Sequence, residues 1–322
     1  IDKQPYENPM HFTRISAPVY AATWTDGRIA EGKTGANIYA QTLYGGYKHY
    51  WYNQLNARMS LDFTPLEGLK ISGVFAPIMN DTKEKLWKKA VPWYDADDPS
   101  VLGGYTQWGS TTKLEEKRKD NYRLTTQFLV NYDKSISVHT FNIMGGYENR
   151  YAFNEDLMAS RDQYELSSYP YLDMGPQTMR DNSGNAHELV RRSFFGRAMY
   201  NYNSKYLLQA NIRYDASSRF ADGHRWGVFP SVSAGWVMSE ESFMKSYDWL
   251  SFLKLRASWG TLGNERTGYW DSNNNWVPDY YPYQARIKSG TSLFFSGNDV
   301  ISKQGMAQSA YVIRDITWET TE

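Results

Sequence analysis

The chain has 322 residues, with 35 Lys plus Arg against 35 Asp plus Glu and so a formal net charge of zero. That balance excludes the clustered basic excess of a nucleic-acid footprint, so no nucleic acid is expected as partner. Cysteine is absent, which removes a disulfide framework, and no apolar run reaches the length of about 18 residues that a transmembrane helix needs.

Residues Ile1 to about Tyr44 show no sustained periodicity. Pro5, Pro9, Pro18, Gly27, Gly32 and Gly35 punctuate them, which reads as loop with at most a short strand or helix. From Trp51 the chain alternates: Trp51, Leu55, Ala57, Met59, Leu61 and Phe63 fall on one side, broken only by Asn53. Tyr52, Gln54, Asn56, Arg58, Ser60 and Asp62 fall on the other. Pro65-Leu66-Glu67-Gly68 makes a short turn, after which Leu69, Ile71, Gly73 and Phe75 continue the apolar side.

A long polar connection rich in aromatics follows, at about 80–118. The next strand carries Tyr122, Leu124, Thr126, Phe128, Val130 and Tyr132 against Arg123, Thr125, Gln127 and Asn131. A brief turn leads to a strand with Phe141, Ile143, Gly145 and Tyr147 on one side, then to a second long loop at about 154–190. Further strands are predicted at Ser193–Tyr202, Tyr206–Asp215, Trp226–Met238 and Phe252–Gly260. A one- or two-turn helix N-capped by Ser239 is expected at Ser239–Met244. A third long polar segment runs over about 262–313, and Asp315–Glu319 reads as the opening of another strand.

Tyr206–Asp215 poses the question of environment. Tyr206, Leu208, Ala210, Ile212 and Tyr214 share one face; Leu207, Gln209, Asn211, Arg213 and Asp215 share the other. In a soluble sandwich the apolar face packs on a second sheet. In an outer-membrane barrel it meets lipid, with Tyr and Trp at its two ends, while the polar face lines a wet lumen. Short turns alternating with long loops favour the barrel, because a sandwich or propeller gives connections of more even length. A mean hydropathy of -0.66 is compatible with it, since half of each strand faces water. The fold expected is therefore all-β, part of a large antiparallel transmembrane β-barrel. Roughly eight to ten spanning strands cannot close alone, because open edges are not tolerated in lipid.

Several runs bear a resemblance to a known family. YLLQANIRYDASSRF at Tyr206–Phe220, RWGVFPSVSAGWVMSEESF at Arg225–Phe243 and LKLRASWGTLGN at Leu253–Asn264 resemble the SusC/RagA family of TonB-dependent outer-membrane transporters of Bacteroidetes. YDADDPSV at Tyr94–Val101, SRDQYEL at Ser160–Leu166 and MRDNSG at Met179–Gly184 resemble other parts of the same family, so the similarity spans most of the chain from about Gly46. The resemblance implies a barrel of about 22 strands, plugged by an N-terminal domain, energised through TonB and capped by a SusD-like surface lipoprotein. It implies import of oligosaccharides, or in some relatives peptides, across the outer membrane, without covalent chemistry or a cofactor. On that reading residues 1–322 belong to the barrel domain, with extracellular loops at about 80–118, 154–190 and 262–313. The plug, the TonB box and the C-terminal strands lie outside this internal segment.

Candidate site residues fall into two groups. Arg58, Arg123, Arg197, Arg213 and Arg256 lie on the polar faces of their strands. They either face the solute path or plug, or pair with Asp62, Asp215 and neighbouring acids in a wall network. Trp87, Trp93, Tyr94, Tyr105 and Trp108 in the first long loop either stack on a solute or partner, or pack the loop on itself. Asp95, Asp97 and Asp98 lack the ligand spacing, Gly and distal Glu of a calcium loop, and read as a solvated turn. His11, His49, His139, His187 and His224 show no metal-ligand spacing, and no phosphate loop or nucleophile elbow is present, so no enzyme activity is expected. The rival reading is a soluble all-β carbohydrate-binding or glycoside-hydrolase domain, which would use the same 26 Tyr and 12 Trp on a covered aliphatic core. A passive porin would share the barrel without the family runs.

Overall fold

A computed structural model describes residues 2–5, 10, 14, 18–98, 100–106, 109–247, 249–297 and 299–322. The central feature is a ten-stranded antiparallel meander. It begins with β1 (Asp2–Pro5), β2 (Gly46–Asn56), β3 (Met59–Leu66) and β4 (Leu69–Lys88). After a separate small hairpin of β5 (Pro92–Tyr94) and β6 (Leu102–Tyr105), it resumes with β7 (Lys113–Ile136), β8 (His139–Arg161) and β9 (Arg180–Tyr202). It ends with β10 (Tyr206–Ser217), β11 (Trp226–Val237) and β12 (Lys254–Gly260). Strand order follows chain order from β4 through β12, with β2 and β3 both on β4 and β1 on the outer edge of β2. What the alternation presents as one strand from Trp51 to Phe63 is thus two, interrupted at Ala57 and Arg58, where the Ala57 N–H donates to the Pro77 carbonyl at 3.0 Å. The first 44 residues, expected as loop with at most a short strand or helix, contain the short strand β1 and the short helix α1 (Ile38–Tyr44).

The chain divides into two compact units. One comprises 1–55, 78–122 and 153–187, the other 56–77, 123–152 and 188–322, with β2, β4, β7, β8 and β9 contributing to both.

The second unit contains the wall in its clearest form. Register across β9, β10, β11 and β12 places the apolar residues of each strand directly opposite one another. Leu208 faces Tyr200 and Ala234; Ala210 faces Ala198 and Val232; Ile212 faces Gly196 and Pro230. Ala257 and Trp259 on β12 extend the rows beside Ala234 and Val232. An aromatic row closes each end. Tyr202, Tyr206 and Trp236 stand together at the short-turn end, with Tyr202 and Tyr206 stacked at 6.1 Å. At the other end Tyr214 stacks on Trp226 at 4.3 Å, and Phe194 lies between Trp226 and Tyr147. Tyr214 follows Tyr206 by eight positions, about 26 Å along a strand at about 3.3 Å per residue, which suits an apolar band about 25 Å tall between girdles.

This face is uncovered: Leu208 is 54%, Ile212 51%, Val232 50% and Trp259 51% exposed. A continuous apolar surface of that kind is not stable against water, and the covered aliphatic core required of a soluble sandwich is absent from this face. The chain is part of a large transmembrane β-barrel wall, and its apolar face has the character that suits lipid. No helix among the described residues is long and apolar enough to cross a membrane.

The connections follow the up-and-down path. At one end Glu67-Gly68, Ser137-Val138 and 203–205 join neighbouring strands tightly. Gly68 sits at φ +82°, and Asn203 and Ser204 take positive φ of 51° and 58°, the left-handed geometry that tight hairpins demand. The helix expected at Ser239–Met244 is instead a single 3-10 turn at Met238–Glu240 followed by further turns, and Ser239 makes no cap. Glu241 explains this: its carboxylate accepts from Tyr206 Oη (2.7 Å), Lys205 Nζ (3.1 Å) and Trp236 Nε1 (3.2 Å), which ties the segment to the strand ends rather than letting it wind.

At the opposite end, pairing extends well into the segments expected as loops. β4 continues to Lys88, β7 begins at Lys113, β8 ends at Arg161 and β9 begins at Arg180. The charged alternation there hid these extensions, because ion pairs such as Lys85–Glu116 (3.0 Å) and Lys48–Glu84 (2.9 Å) replace apolar contacts. Residues 262–313 also hold strands: β13 (Leu262–Asn264), the hairpin of β14 (Gly268–Trp270) and β15 (Trp276–Pro278), and the hairpin of β16 (Ile287–Ser296) and β17 (Asp299–Gln308). β13 pairs with β18 (Glu319–Thr321), so residues 265–318 form an insertion closed at its base.

Candidate solute-facing surfaces

The first unit holds the loop aromatics. Its core is Trp87, Leu114 and Tyr164, with Tyr47 and Leu172 packed against them. The Trp87 and Tyr164 rings meet edge-on at 4.9 Å, and Trp87 is only 2% exposed. Its indole surface is taken up by neighbours. Trp93 and Tyr94 lie on β5, which pairs with β6. The Trp93 ring lies flat on Gly103, where an added Cβ would stand 1.8 Å from it. Tyr94 is held by its backbone, accepting from Trp24 Nε1 at 2.8 Å and donating to Ile29 at 3.1 Å. Tyr105 is 39% exposed, and Trp108 lies outside the described residues. Aromatic surface open to a solute or partner in this group therefore belongs to Trp93, Tyr94 and Tyr105.

Asn37 organises the same region. Its Oδ1 caps α1 through Ala40 N–H at 3.0 Å while its Nδ2 donates to the carbonyls of Ala22 and Ala30. Gln41 then donates to Thr106 Oγ1 at 2.8 Å, both residues buried. A cavity of about 530 Å³ opens between Tyr44, Tyr47, Trp87, Lys89 and Ser167–Ser168.

The acidic run forms a self-contained turn. Asp95 Oδ1 accepts from the N–H groups of Asp97 and Asp98, and Asp98 Oδ1 accepts from the N–H and Oγ of Ser100. Those bonds from Ser100 hold the Asp98 carboxyl below its usual range. Carboxylate oxygens committed in this way leave little for a cation, and no cluster of metal-ligating side chains occurs among the described residues.

In the second unit the polar side of the wall can be followed strand by strand. Arg213 lies on it, forking onto Asp215 with bonds of 3.1 and 2.9 Å and stacking over the Phe195 ring at 5.2 Å. Arg197 donates to Asn142 Oδ1 at 3.3 Å, Gln127 to Glu148 at 2.6 Å, and Asn211 to Ser231 Oγ at 3.1 Å. Arg123 and Arg256 are exposed on their strands, and Arg58 occupies the break between β2 and β3. Asp62 is engaged by Lys70 (2.8 Å) and Ser72 (2.6 Å) rather than by an arginine. Of the two acids named as partners, Asp215 therefore serves and Asp62 does not. The surface is a polar, hydrogen-bonded wall of the kind an aqueous barrel interior requires.

Sequence reasoning missed the residues that gather where β9 and β10 reach the long-connection end. Arg191, Ser217, Arg219 and Glu265 lie together, with Arg191 paired to Glu265 and Arg219 Nε 4.0 Å from the same carboxylate. Arg219 is 8% exposed, and its Nη1 donates to the carbonyls of Thr267 and Asp279 and to Thr267 Oγ1. It also lies over the Tyr280 ring at 4.5 Å. This one side chain pins the base of the 265–318 insertion, assisted by Trp318 Nε1 on the Arg225 carbonyl (2.8 Å) and by Phe220, which is fully buried near Trp318. Only the family run ending in SSRF pointed here; no periodicity could.

No family profile matches the chain. Among curated proteins it is 31% identical over 226 residues to TonB-dependent receptor P3 of Formosa agariphila, covering 69% of this chain and 21% of that protein. It is 33% identical over 147 residues to TonB-dependent receptor SusC of Bacteroides thetaiotaomicron, covering 46% and 14%. Among solved structures, the RagAB peptide importer in its closed-closed state matches 94% of this chain and 30% of that chain, with a TM-score of 0.71 at 19% identity. The chain thus spans about a fifth or less of those curated relatives, and the structural likeness carries the barrel fold.

Proposed function

We propose, on the premise that this chain is a barrel segment of the SusC/RagA type of TonB-dependent transporter, that the protein containing it is an active outer-membrane importer of oligosaccharides or peptides. Energy comes through TonB, and a SusD-like surface lipoprotein completes the solute chamber. The observation that carries this reading is the registered apolar face between two aromatic rows, backed by a polar face of Arg, Asn, Gln and Ser. The first suits lipid, and the second suits a solute path or plug. RagAB is a peptide importer and SusC a TonB-dependent receptor, and both likenesses support uptake.

On this reading the short turns face the periplasm, and the long connections, with Trp93, Tyr94 and Tyr105, face outward where solute and lipoprotein arrive. The solute passes unaltered, so the residues of the wall bind and guide rather than react. Cell fractionation of the full-length protein, with gel mobility before and after boiling, tests this. Outer-membrane recovery with a heat-dependent mobility shift, followed by TonB-dependent solute uptake, is expected. Recovery in the soluble fraction without a shift would replace this reading with the soluble β-domain.

A further inference from the structure

Among the described residues, the polar side of the second unit carries more arginines than the acids paired with them. Arg123 on β7, Arg150 on β8 and Arg191 on β9 belong to the inward-alternating positions of consecutive strands, as does Arg213 on β10. Arg150 reaches Glu148 only at 3.6 Å, and Glu148 is already bonded to Gln127 at 2.6 Å. Arg191 shares Glu265 with Arg219, and Arg213 takes Asp215. Among the described residues, the ion pairs of Arg150, Arg191, Arg213 and Arg219 therefore draw on Glu148, Asp215 and Glu265, and Arg123 has no ion pair.

Two further observations make this a site rather than a balanced wall. The Nε groups of Arg150, Arg191 and Arg219 are enclosed without an acceptor. The side chains of Arg150, Arg191 and Arg213 nevertheless keep 36%, 38% and 47% of their surface open, so their outer nitrogens are within reach of solution. Placing like charges side by side is unfavourable unless an anion joins them, and planar guanidiniums are suited to bidentate capture of carboxylate, sulfate or phosphate groups.

We propose that Arg123, Arg150 and Arg191 form an anion-binding site on the lumen wall that receives an acidic group of the imported solute. The inference rests on the importer reading above, and narrows it from any oligosaccharide or peptide to solutes bearing carboxylate or ester-sulfate groups. Arg219 is the structural member of the cluster, since its Nη1 is committed to Thr267 and Asp279.

The test uses the detergent-purified full-length transporter, with trigalacturonate as an acidic probe and maltotriose as a neutral one, followed by calorimetric titration. Trigalacturonate is expected to bind, more weakly at about 300 than at about 50 mM salt because the Debye length falls as salt rises. The Arg191→Gln and Arg150→Gln variants are expected to lose about tenfold in affinity each, the scale of one charge-assisted contact. A heat-dependent mobility shift of each variant confirms an intact barrel, which keeps the test valid if one variant misfolds. Equal binding of both probes, no binding of trigalacturonate, or unchanged affinity in folded variants would overturn the proposal. These results would leave the importer reading standing, whereas a soluble protein without the mobility shift would remove both.

Discussion

Ala210 lies midway between the aromatic rows at Tyr206 and Tyr214, flanked across the sheet by Ala198 and Val232, with its side chain exposed. If that face meets lipid, Ala210 is at the bilayer midplane. Ala210→Arg then places a guanidinium where insertion costs about 2–4 kcal/mol, a factor of about 30 to 1,000 in the folding equilibrium. The neighbouring Gln209→Arg puts the same charge on the opposite face, beside Ser233 and Met199. There it loses the bond from Gln209 to Asn211, 3.2 Å long, at a net cost of about 1 kcal/mol. The assay is the amount of full-length protein in the outer membrane in its heat-modifiable form. The expected result is strong depletion for Ala210→Arg and near-normal levels for Gln209→Arg. Equal levels, or depletion of the Gln209 variant alone, would refute the assignment of faces.

Other perturbations probe separate parts of the account. Gly68→Ala sets a Cβ at φ +82° and 2.2 Å from the Asp133 carbonyl oxygen, so about 1–3 kcal/mol of backbone strain plus a clash should lower barrel yield. Gly73→Ala, which meets nothing within 4 Å, should not. Arg219→Met should free the base of the 265–318 insertion and speed its cleavage in limited proteolysis by at least about tenfold, the effect of losing roughly one charge-assisted anchor, leaving the mobility shift in place. The Glu241 carboxyl is held below its ordinary value, first by the Tyr206 hydroxyl and then by Lys205 and Trp236. Its folded pKa being depressed, the stabilisation is complete above the ordinary value of 4.5 and is lost as pH falls through the lower folded value. Amide exchange over 238–253 should therefore be slow at neutral pH, quicken only in that acidic window, and be quick at all pH values in Glu241→Gln. Gly103→Ala should displace the Trp93 ring and shift its fluorescence, whereas an unchanged spectrum would show that the ring does not pack there.

The sequence made the wall legible because lipid imposes a period of two with few exceptions. Tyr206–Tyr214 and Trp226–Trp236 alternate cleanly, and their registers align the apolar positions that the alternation names. The extensions of β4, β7, β8 and β9 were hidden for the converse reason: outside an apolar medium a strand can carry Lys and Glu on both sides, and alternation of hydropathy vanishes. Trp87 and Trp93 illustrate what composition leaves open, since the same aromatic residue type serves a buried contact at one and a half-exposed hairpin at the other. Arg191, Arg219 and Glu265 are distant along the chain or in irregular segments, so only the three-dimensional pairing of β9, β10 and the insertion reveals them together. The Ser239 helix failed because side chains from three flanking positions compete for Glu241, an arrangement no helix propensity records.

The central claim, that one face of this sheet meets lipid and the other water, is tested most directly by site-directed spin labelling of the full-length protein in liposomes. This stretch contributes no cysteine of its own, so labels can be placed singly along Leu207–Arg213 once any cysteine elsewhere is replaced. The account predicts high collision rates with oxygen at Leu208, Ala210 and Ile212, and with a water-soluble nickel reagent at Gln209 and Asn211. Oxygen and nickel accessibility rising together at all these positions, with no alternation, would contradict it.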